Sequence, residues 1–104
     1  MKYKTFYENY TQEIYKLLND VDTNLIDKSI ELINEVKKNQ NNLFIVGNGG
    51  SASIASHVSV DFAKVAKIKS LTFNNSNLIT CFANDYGHDN WVKEAINSYC
   101  CKKD

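Results

Sequence analysis

The chain has 104 residues with twelve basic and twelve acidic side chains, so its formal net charge is zero. This length accommodates one small domain, and a composition of 43% hydrophobic and 23% charged residues is typical of a globular protein. A neutral chain is not attracted to nucleic acid or to an anionic membrane, and its longest apolar runs, 43–46 and 79–83, are too short to span a bilayer. Because no apolar stretch follows Met1 to form a signal peptide, and no C-x-x-C pair is present, we expect a cytoplasmic protein.

The first 40 residues predict two amphipathic helices. Apolar residues at spacings of four, four and three predict a helix over 4–19, namely Phe6, Tyr10, Ile14 and Leu17. Asp22 and Thr23 then offer an N-cap for a second helix that ends near Lys38, with basic residues at the negative end of the helix dipole. Its apolar stripe consists of Ile26, Ile30, Ile33 and Val36.

The rest of the chain predicts a β-α-β unit followed by two helices. The wholly apolar run 43–46 is typical of a strand buried on both faces of a parallel sheet. This strand is followed by a helix from Ala52 to about Lys67, a weaker strand over 70–73, and helices over 78–83 and 91–100. Ile54, Val58, Phe62 and Val65 are predicted to form the apolar side of the first of these helices. The order is α-α-β-α-β-α-α, with two parallel strands joined by a right-handed crossover.

A glycine-rich loop, Gly47-Asn48-Gly49-Gly50-Ser51, separates the first strand from its helix. Such a loop presents free backbone N–H groups and the positive end of a helix dipole, which suits phosphate or sugar hydroxyls. The P-loop pattern fails because no Gly-Lys-Ser/Thr follows. The dinucleotide pattern G-x-G-x-x-A is matched by 47–52, but Asn74 and Asn75 stand where that fold places an acid for the ribose. A sugar-phosphate loop and a plain strand-to-helix turn remain as alternatives.

Two polar groups beyond the loop are further candidates. His57 and Asp61 lie four residues apart, so that both side chains share one helix face and could hold a metal ion or pair a base with its partner. Asn84-Asp85-Tyr86-Gly87 falls between two predicted helices, where this composition is also typical of a simple turn. Each feature by itself is also common on a solvated surface.

Taken together, residues 46–52, His57 with an acid at 61, and 84–87 resemble the phosphoheptose isomerases of the SIS (sugar isomerase) superfamily, in order and in approximate spacing. The resemblance covers the whole chain and only the N-terminal half of that family. It implies the N-terminal portion of a flavodoxin-like three-layer α/β/α sandwich, here a single partial domain of residues 1–104. Residues 1–40 would form the N-terminal helices and 43–104 the start of the sandwich.

The resemblance also implies an activity: conversion of sedoheptulose 7-phosphate to D-glycero-D-manno-heptose 7-phosphate through an enediol(ate), for lipopolysaccharide or capsule synthesis. It further implies one zinc ion per subunit and a homotetramer. The substrate would be contacted by loop and helix residues: Asn48, Gly49, Gly50, Ser51, Asp61, Asn84 and Asp85. His57 and Asp61 would be zinc ligands, and Asp61 would also be the catalytic base.

The chain departs from the family in two respects. Asp61 stands where the family has a glutamate, and its carboxylate is one methylene shorter. The family's second half carries a Ser/Thr-rich phosphate loop and a late glutamine and histidine, which this sequence does not contain. We therefore expect the 104 residues alone to be inactive and poorly folded. The alternative is a non-catalytic SIS module that binds a sugar phosphate or a protein partner.

Overall fold

The computed structural model describes residues 3–104, which form five α-helices and two short strands. The elements in chain order are α1 (Lys4–Asn19), α2 (Thr23–Lys38), β1 (Asn42–Phe44), α3 (Gly50–Asp61), a π-helical turn (Phe62–Ala66), β2 (Lys69–Leu71), α4 (Ser76–Tyr86) and α5 (Trp91–Tyr99). This is the predicted order of elements, and the chain is an α/β protein. None of the helices in this part of the chain is long and apolar enough to cross a membrane.

The two strands are parallel, as predicted, with Leu43 opposite Ser70 in the register. Each strand begins one residue earlier and ends two residues earlier than the sequence predicts. The ladder closes with the N–H of Ile45 donating to the carbonyl of Leu71 at 2.9 Å, after which both chains turn toward their helices. The parallel arrangement brings the carboxyl ends of both strands to one edge of the sheet, where α/β proteins bind their ligands.

The buried side of α3 differs from the prediction. Ala55 and Ser59 are its buried residues, whereas Ile54 is 64% exposed. The π-helical turn likewise leaves Val65 74% exposed. The predicted apolar side is therefore buried only in part: Val58 and Phe62 are half-buried, and the fully buried positions are the small residues Ala55 and Ser59.

Helix α4 is longer than predicted at both ends. The side chain of Asn75 caps it by accepting hydrogen bonds from the N–H groups of Asn77 and Leu78 at 2.9 and 3.3 Å. The helix ends at Tyr86, so Asn84 and Asp85 lie in its last turn and not in a turn between helices. The interpretation of 84–87 as a simple turn was wrong for these residues; only Gly87, with a φ of 84°, leaves the helical conformation.

The core is small. Phe73, Trp91 and Ala95 are buried together, and partly buried apolar residues of β1, α4, α5 and the segments that follow β1 and α5 pack against them. Phe44 stacks on Phe73 with ring centroids 5.0 Å apart, which ties β1 to the end of β2. This cluster supports the strand ends from which the glycine loop departs.

The start of β1 is fastened to the last described residue. The Asp104 carboxylate accepts hydrogen bonds from the backbone N–H of Asn42 at 2.9 Å and from the N–H of Cys101 at 2.8 Å. The hydrogen bond from the Asn42 backbone, followed by that from Cys101, holds the pKa of the Asp104 carboxyl below its usual value.

The chain divides into two compact units, one up to Glu31 and one from Leu32 to Asp104. The first contains α1, whose predicted bounds of 4–19 are confirmed, and the beginning of α2. The predicted apolar face of α1 is present but uncovered: Phe6 and Tyr10 stack on each other and are 71% and 55% exposed. The second unit contains both strands and all the candidate site residues.

Candidate functional site

The glycine loop folds back tightly onto the first turn of α3. A Cβ atom on Gly47 would lie 2.3 Å from the carbonyl carbon and oxygen of Ser51, which no side chain could accept without moving the backbone. Gly49 has a φ of 57° and a ψ of −124°, a combination that residues with a Cβ rarely adopt. The sequence therefore needs glycine at 47 for close approach and at 49 for conformation.

The N-terminus of α3 has no side-chain cap. The N-cap residue is Gly49, which has no side chain to offer, and the backbone carbonyls of Asn48 and Gly49 accept from the N–H groups of Ser51 and Ala52 at 3.1 and 3.0 Å. Asn48, Gly49 and Gly50 are all exposed. An exposed glycine loop at the positive end of a helix dipole is suited to bind an anion or a polar ligand.

His57 and Asp61 lie on α3 beyond this loop, as predicted. The His57 Nε2 atom is 3.4 Å from Asp61 Oδ2, and the two side chains are 81% and 53% exposed. The pair is pre-formed, because the i, i+4 spacing brings the imidazole and the carboxylate together without help from another element. The two groups could share a proton or point together at a third atom.

These two side chains fit a zinc ion as two of its ligands, since an imidazole nitrogen and a carboxylate oxygen are both normal zinc donors. A tetrahedral site needs further donors. Within residues 3–104 no group of three or more histidine, cysteine, aspartate or glutamate side chains comes together. The described residues bring two such donors together, His57 and Asp61.

Asn84 and Asp85, the remaining predicted substrate residues, are exposed on the last turn of α4. The Asn84 side chain donates to Asp85 Oδ1 at 3.0 Å, and the Cys81 thiol lies 3.7 Å from Asp85 Oδ2. In the described part of the chain, no hydrogen bond or ion pair joins this pair to the glycine loop or to His57. The structure thus presents three separate polar groups on the second unit.

Asn74 is a residue that the sequence interpretation missed. Its Nδ2 donates to the carbonyl oxygen of Ala52 and, at 2.8 Å, to Ser56 Oγ, and so links the end of β2 to the first turn of α3. Ser70, Thr72 and Asn74 alternate along the chain and carry buried oxygens with no partner among the described residues. That period of two was the available signal, because alternate residues of an extended segment point to the same side, and the segment continues from β2 to Asn74.

The dinucleotide alternative finds no support at this position. That reading needs an acid after β2 to hold a ribose, and the two residues there have other roles. Asn74 holds α3, and Asn75 caps α4. Neither side chain is an acid, and both are engaged within the protein.

A parallel strand, a tight glycine loop and an uncapped helix N-terminus are features of the α/β proteins that bind ligands at the carboxyl edge of the sheet.

Comparison of the sequence with curated proteins finds relatives of one kind. The chain is 32% identical over 87 residues to the phosphoheptose isomerase of Helicobacter pylori strain P12, which covers 77% of this chain and 45% of that protein. It is 34% identical over 83 residues to that of strain Shi470, covering 73% and 43%. It is 32% identical over 95 residues to phosphoheptose isomerase 2 of Campylobacter jejuni strain NCTC 11168, covering 80% and 46%. The chain is thus related to the phosphoheptose isomerases and resembles their N-terminal half, as its motifs predict.

The chain spans less than half the length of the curated relatives it matches. No protein-family model matches it, and no solved structure matches it significantly.

Proposed function

We propose that the chain provides the substrate-loop half of a sugar-phosphate isomerase that interconverts sedoheptulose 7-phosphate and D-glycero-D-manno-heptose 7-phosphate. The observation that carries this proposal is the exposed, uncapped glycine loop at the start of α3. It is supported by relatives named phosphoheptose isomerase. In this proposal Asn48, Gly49, Gly50 and Ser51 bind the phosphorylated sugar.

Aldose–ketose isomerisation needs a base that removes the proton alpha to the carbonyl and returns it to the neighbouring carbon. Asp61 is proposed as that base, and His57, 3.4 Å away, orients its carboxylate. Asn84 and Asp85 are proposed to contact the sugar hydroxyls. Because the Asp61 side chain is half exposed here, other parts of the assembled protein must cover it so that water is excluded during proton transfer.

Zinc is proposed as the cofactor, with His57 and Asp61 as two of its ligands. When bound, the ion would supply positive charge that stabilises the enediolate oxygen. The other donors must come from outside residues 3–104, because no third donor joins this pair. A homo-oligomer in the cytoplasm, built on the exposed apolar faces of α1 and α2, is part of the same proposal.

Residues 1–104 by themselves are proposed to bind the sugar phosphate weakly and not to isomerise it. The zinc donors are incomplete, and Asp61 and the substrate residues are exposed. A second function rests on Asp61, the shorter acid where the resemblance implies glutamate: a module that binds the sugar phosphate, or a protein partner, without isomerising anything.

The test is an assay of sedoheptulose 7-phosphate conversion by the protein in its native assembly, beside calorimetric binding of the same sugar. Conversion that depends on added zinc and is lost in His57→Ala supports the isomerase. Binding without conversion supports the module. An absence of sugar-phosphate binding contradicts the isomerase and the sugar-phosphate-binding module, because both rely on the glycine loop, and leaves only a module that binds a protein partner.

A further inference from the structure

The first turn of α3 is held from two sides. On one side the backbone of Gly47 approaches Ser51 so closely that a Cβ has no room. On the other side Asn74, from the end of β2, donates to the Ala52 carbonyl and to Ser56 Oγ. The turn between these two contacts carries the exposed residues Gly50 and Ser51, so its orientation fixes the direction of their backbone.

The side chain at position 74 must donate hydrogen bonds, because both of its contacts on α3 act as acceptors. The Ala52 carbonyl can only accept a hydrogen bond. Ser56 Oγ already donates to that same carbonyl at 3.0 Å, so toward residue 74 it also acts as an acceptor. An amide NH₂ satisfies both acceptors, whereas a carboxylate would place a negative oxygen against them.

We propose that Asn74 is a positioning residue: its amide sets the orientation of the N-terminal turn of α3, and through it the direction of the N–H groups that bind the sugar phosphate. The consequence for ligand binding rests on the proposed function. The consequence for the loop itself does not, because it follows from the contacts of Asn74 in the free protein.

The neighbouring residue provides a matched control. Asn75 Oδ1 accepts hydrogen bonds from Asn77 and Leu78, so a carboxylate can replace it without loss. Asn74→Asp and Asn75→Asp are therefore the same substitution at adjacent positions, but only Asn74→Asp should disturb the structure. Near neutral pH the first removes a donor and the second keeps an acceptor.

The effect of Asn74→Asp should also depend on pH, whereas that of Asn75→Asp should not. Burial beside a carbonyl raises the pKa of an introduced carboxyl, and the protonated acid regains one O–H donor. The contacts of Asn74 on α3, Ala52 and Ser56, do not titrate. The titratable side chains of the elements packed nearby are all exposed and are present in both variants: His57 and Asp61 on α3, Lys64 in the π-helical turn, Lys69 on β2, and Cys81, Asp85 and Tyr86 on α4.

The experiment measures amide hydrogen-exchange protection of residues 47–56, with calorimetric binding of sedoheptulose 7-phosphate, in the natively assembled protein. At about pH 7.5 we expect Asn74→Asp to lose about tenfold or more in protection and in affinity, because both hydrogen bonds of the amide are lost, and to recover part of each near pH 5, where the protonated acid regains one donor. Asn75→Asp should match the unsubstituted protein at both pH values.

Ser56→Ala removes one of the two acceptors without adding charge and should give a smaller loss of protection that does not depend on pH. It serves as the test if Asn74→Asp fails to fold. The proposal is overturned if Asn74→Asp keeps full protection at pH 7.5, or if its loss of protection is equally large at pH 5. It is also overturned if Asn75→Asp loses as much protection, or if Ser56→Ala loses none. If exchange behaves as expected but the unsubstituted protein binds no sugar phosphate, the proposed function fails and the positioning role stands.

Discussion

At the scale of single residues, the loop depends on glycines for two different reasons, which substitution can separate. Gly47→Ala places a methyl group 2.3 Å from the Ser51 backbone, so we expect a loss of about 3 kcal/mol in the free energy of unfolding, the upper range for overpacking. Gly50→Ala meets no atom within 4 Å and should leave stability unchanged or slightly raised. Denaturant unfolding of both variants checks this, and equal losses would contradict the close approach.

Asp61 gives a second prediction at this scale. Its carboxylate is one methylene shorter than that of the glutamate implied at this position by the family resemblance. If proton transfer is limited by this reach, Asp61→Glu should raise the rate of conversion of sedoheptulose 7-phosphate by up to about a hundredfold. Asp61→Asn, which keeps the size and removes the base, is the control and should abolish conversion. A slower rate in Asp61→Glu would mean that the site is built around aspartate.

At the scale of elements, the cap of α4 is open to direct measurement. Asn75→Ala removes the side chain that accepts from Asn77 and Leu78, and should cost about 1 kcal/mol in the free energy of unfolding. Asn77→Ala, in the first turn of the same helix, removes no cap and should be neutral or slightly stabilising, because alanine has the higher helix propensity. Equal effects of the two substitutions would show that the cap contributes nothing.

The Asp104 contact with β1 predicts a pH dependence. Because its carboxyl pKa is lowered in the folded state, the stabilisation is fully present above the unfolded-state value, near 3.8, and is lost as pH falls through the lower folded-state value. Asp104→Ala should therefore be less stable than the unsubstituted chain at neutral pH, and the difference should vanish in strong acid. A difference that is constant down to strong acid would mean that the carboxylate charge is not involved.

The sequence predicts the elements of this chain better than their faces. The helix over 4–19 and the parallel strands follow from apolar periodicity and from the glycine loop. The buried side of α3 was predicted only in part, because periodicity measures large apolar residues while the fully buried positions of this helix are Ala55 and Ser59. Asn84 and Asp85 were misplaced because turn propensity is local, whereas α4 continues through both residues and ends only before Gly87. The flavodoxin-like sandwich, the zinc ion and the roles of the site residues stay predictions.

At the scale of the whole molecule, the chain leaves much apolar surface uncovered. Few large side chains are buried, and α1 exposes an aromatic face. Such patches mark interaction surfaces or lead to aggregation. We expect residues 1–104 alone to self-associate and to unfold without a sharp transition. The Phe6→Gln/Tyr10→Gln double variant should reduce association in analytical ultracentrifugation, while Lys4→Gln/Glu8→Gln, on the same helix, should not. A monomeric unsubstituted chain with a sharp two-state transition would contradict this.

The central claim is that the loop from Asn48 to Ser51 binds a sugar phosphate, and an amide NMR titration of the natively assembled protein tests it most directly. Sedoheptulose 7-phosphate should shift the backbone amide signals of Gly49, Gly50 and Ser51 in a saturable manner, because this exposed loop lies at the positive end of the α3 dipole. Inorganic phosphate and unphosphorylated sedoheptulose, the matched controls, should bind more weakly. Saturable shifts elsewhere with these three amides unmoved, or no shifts at all, would contradict the account.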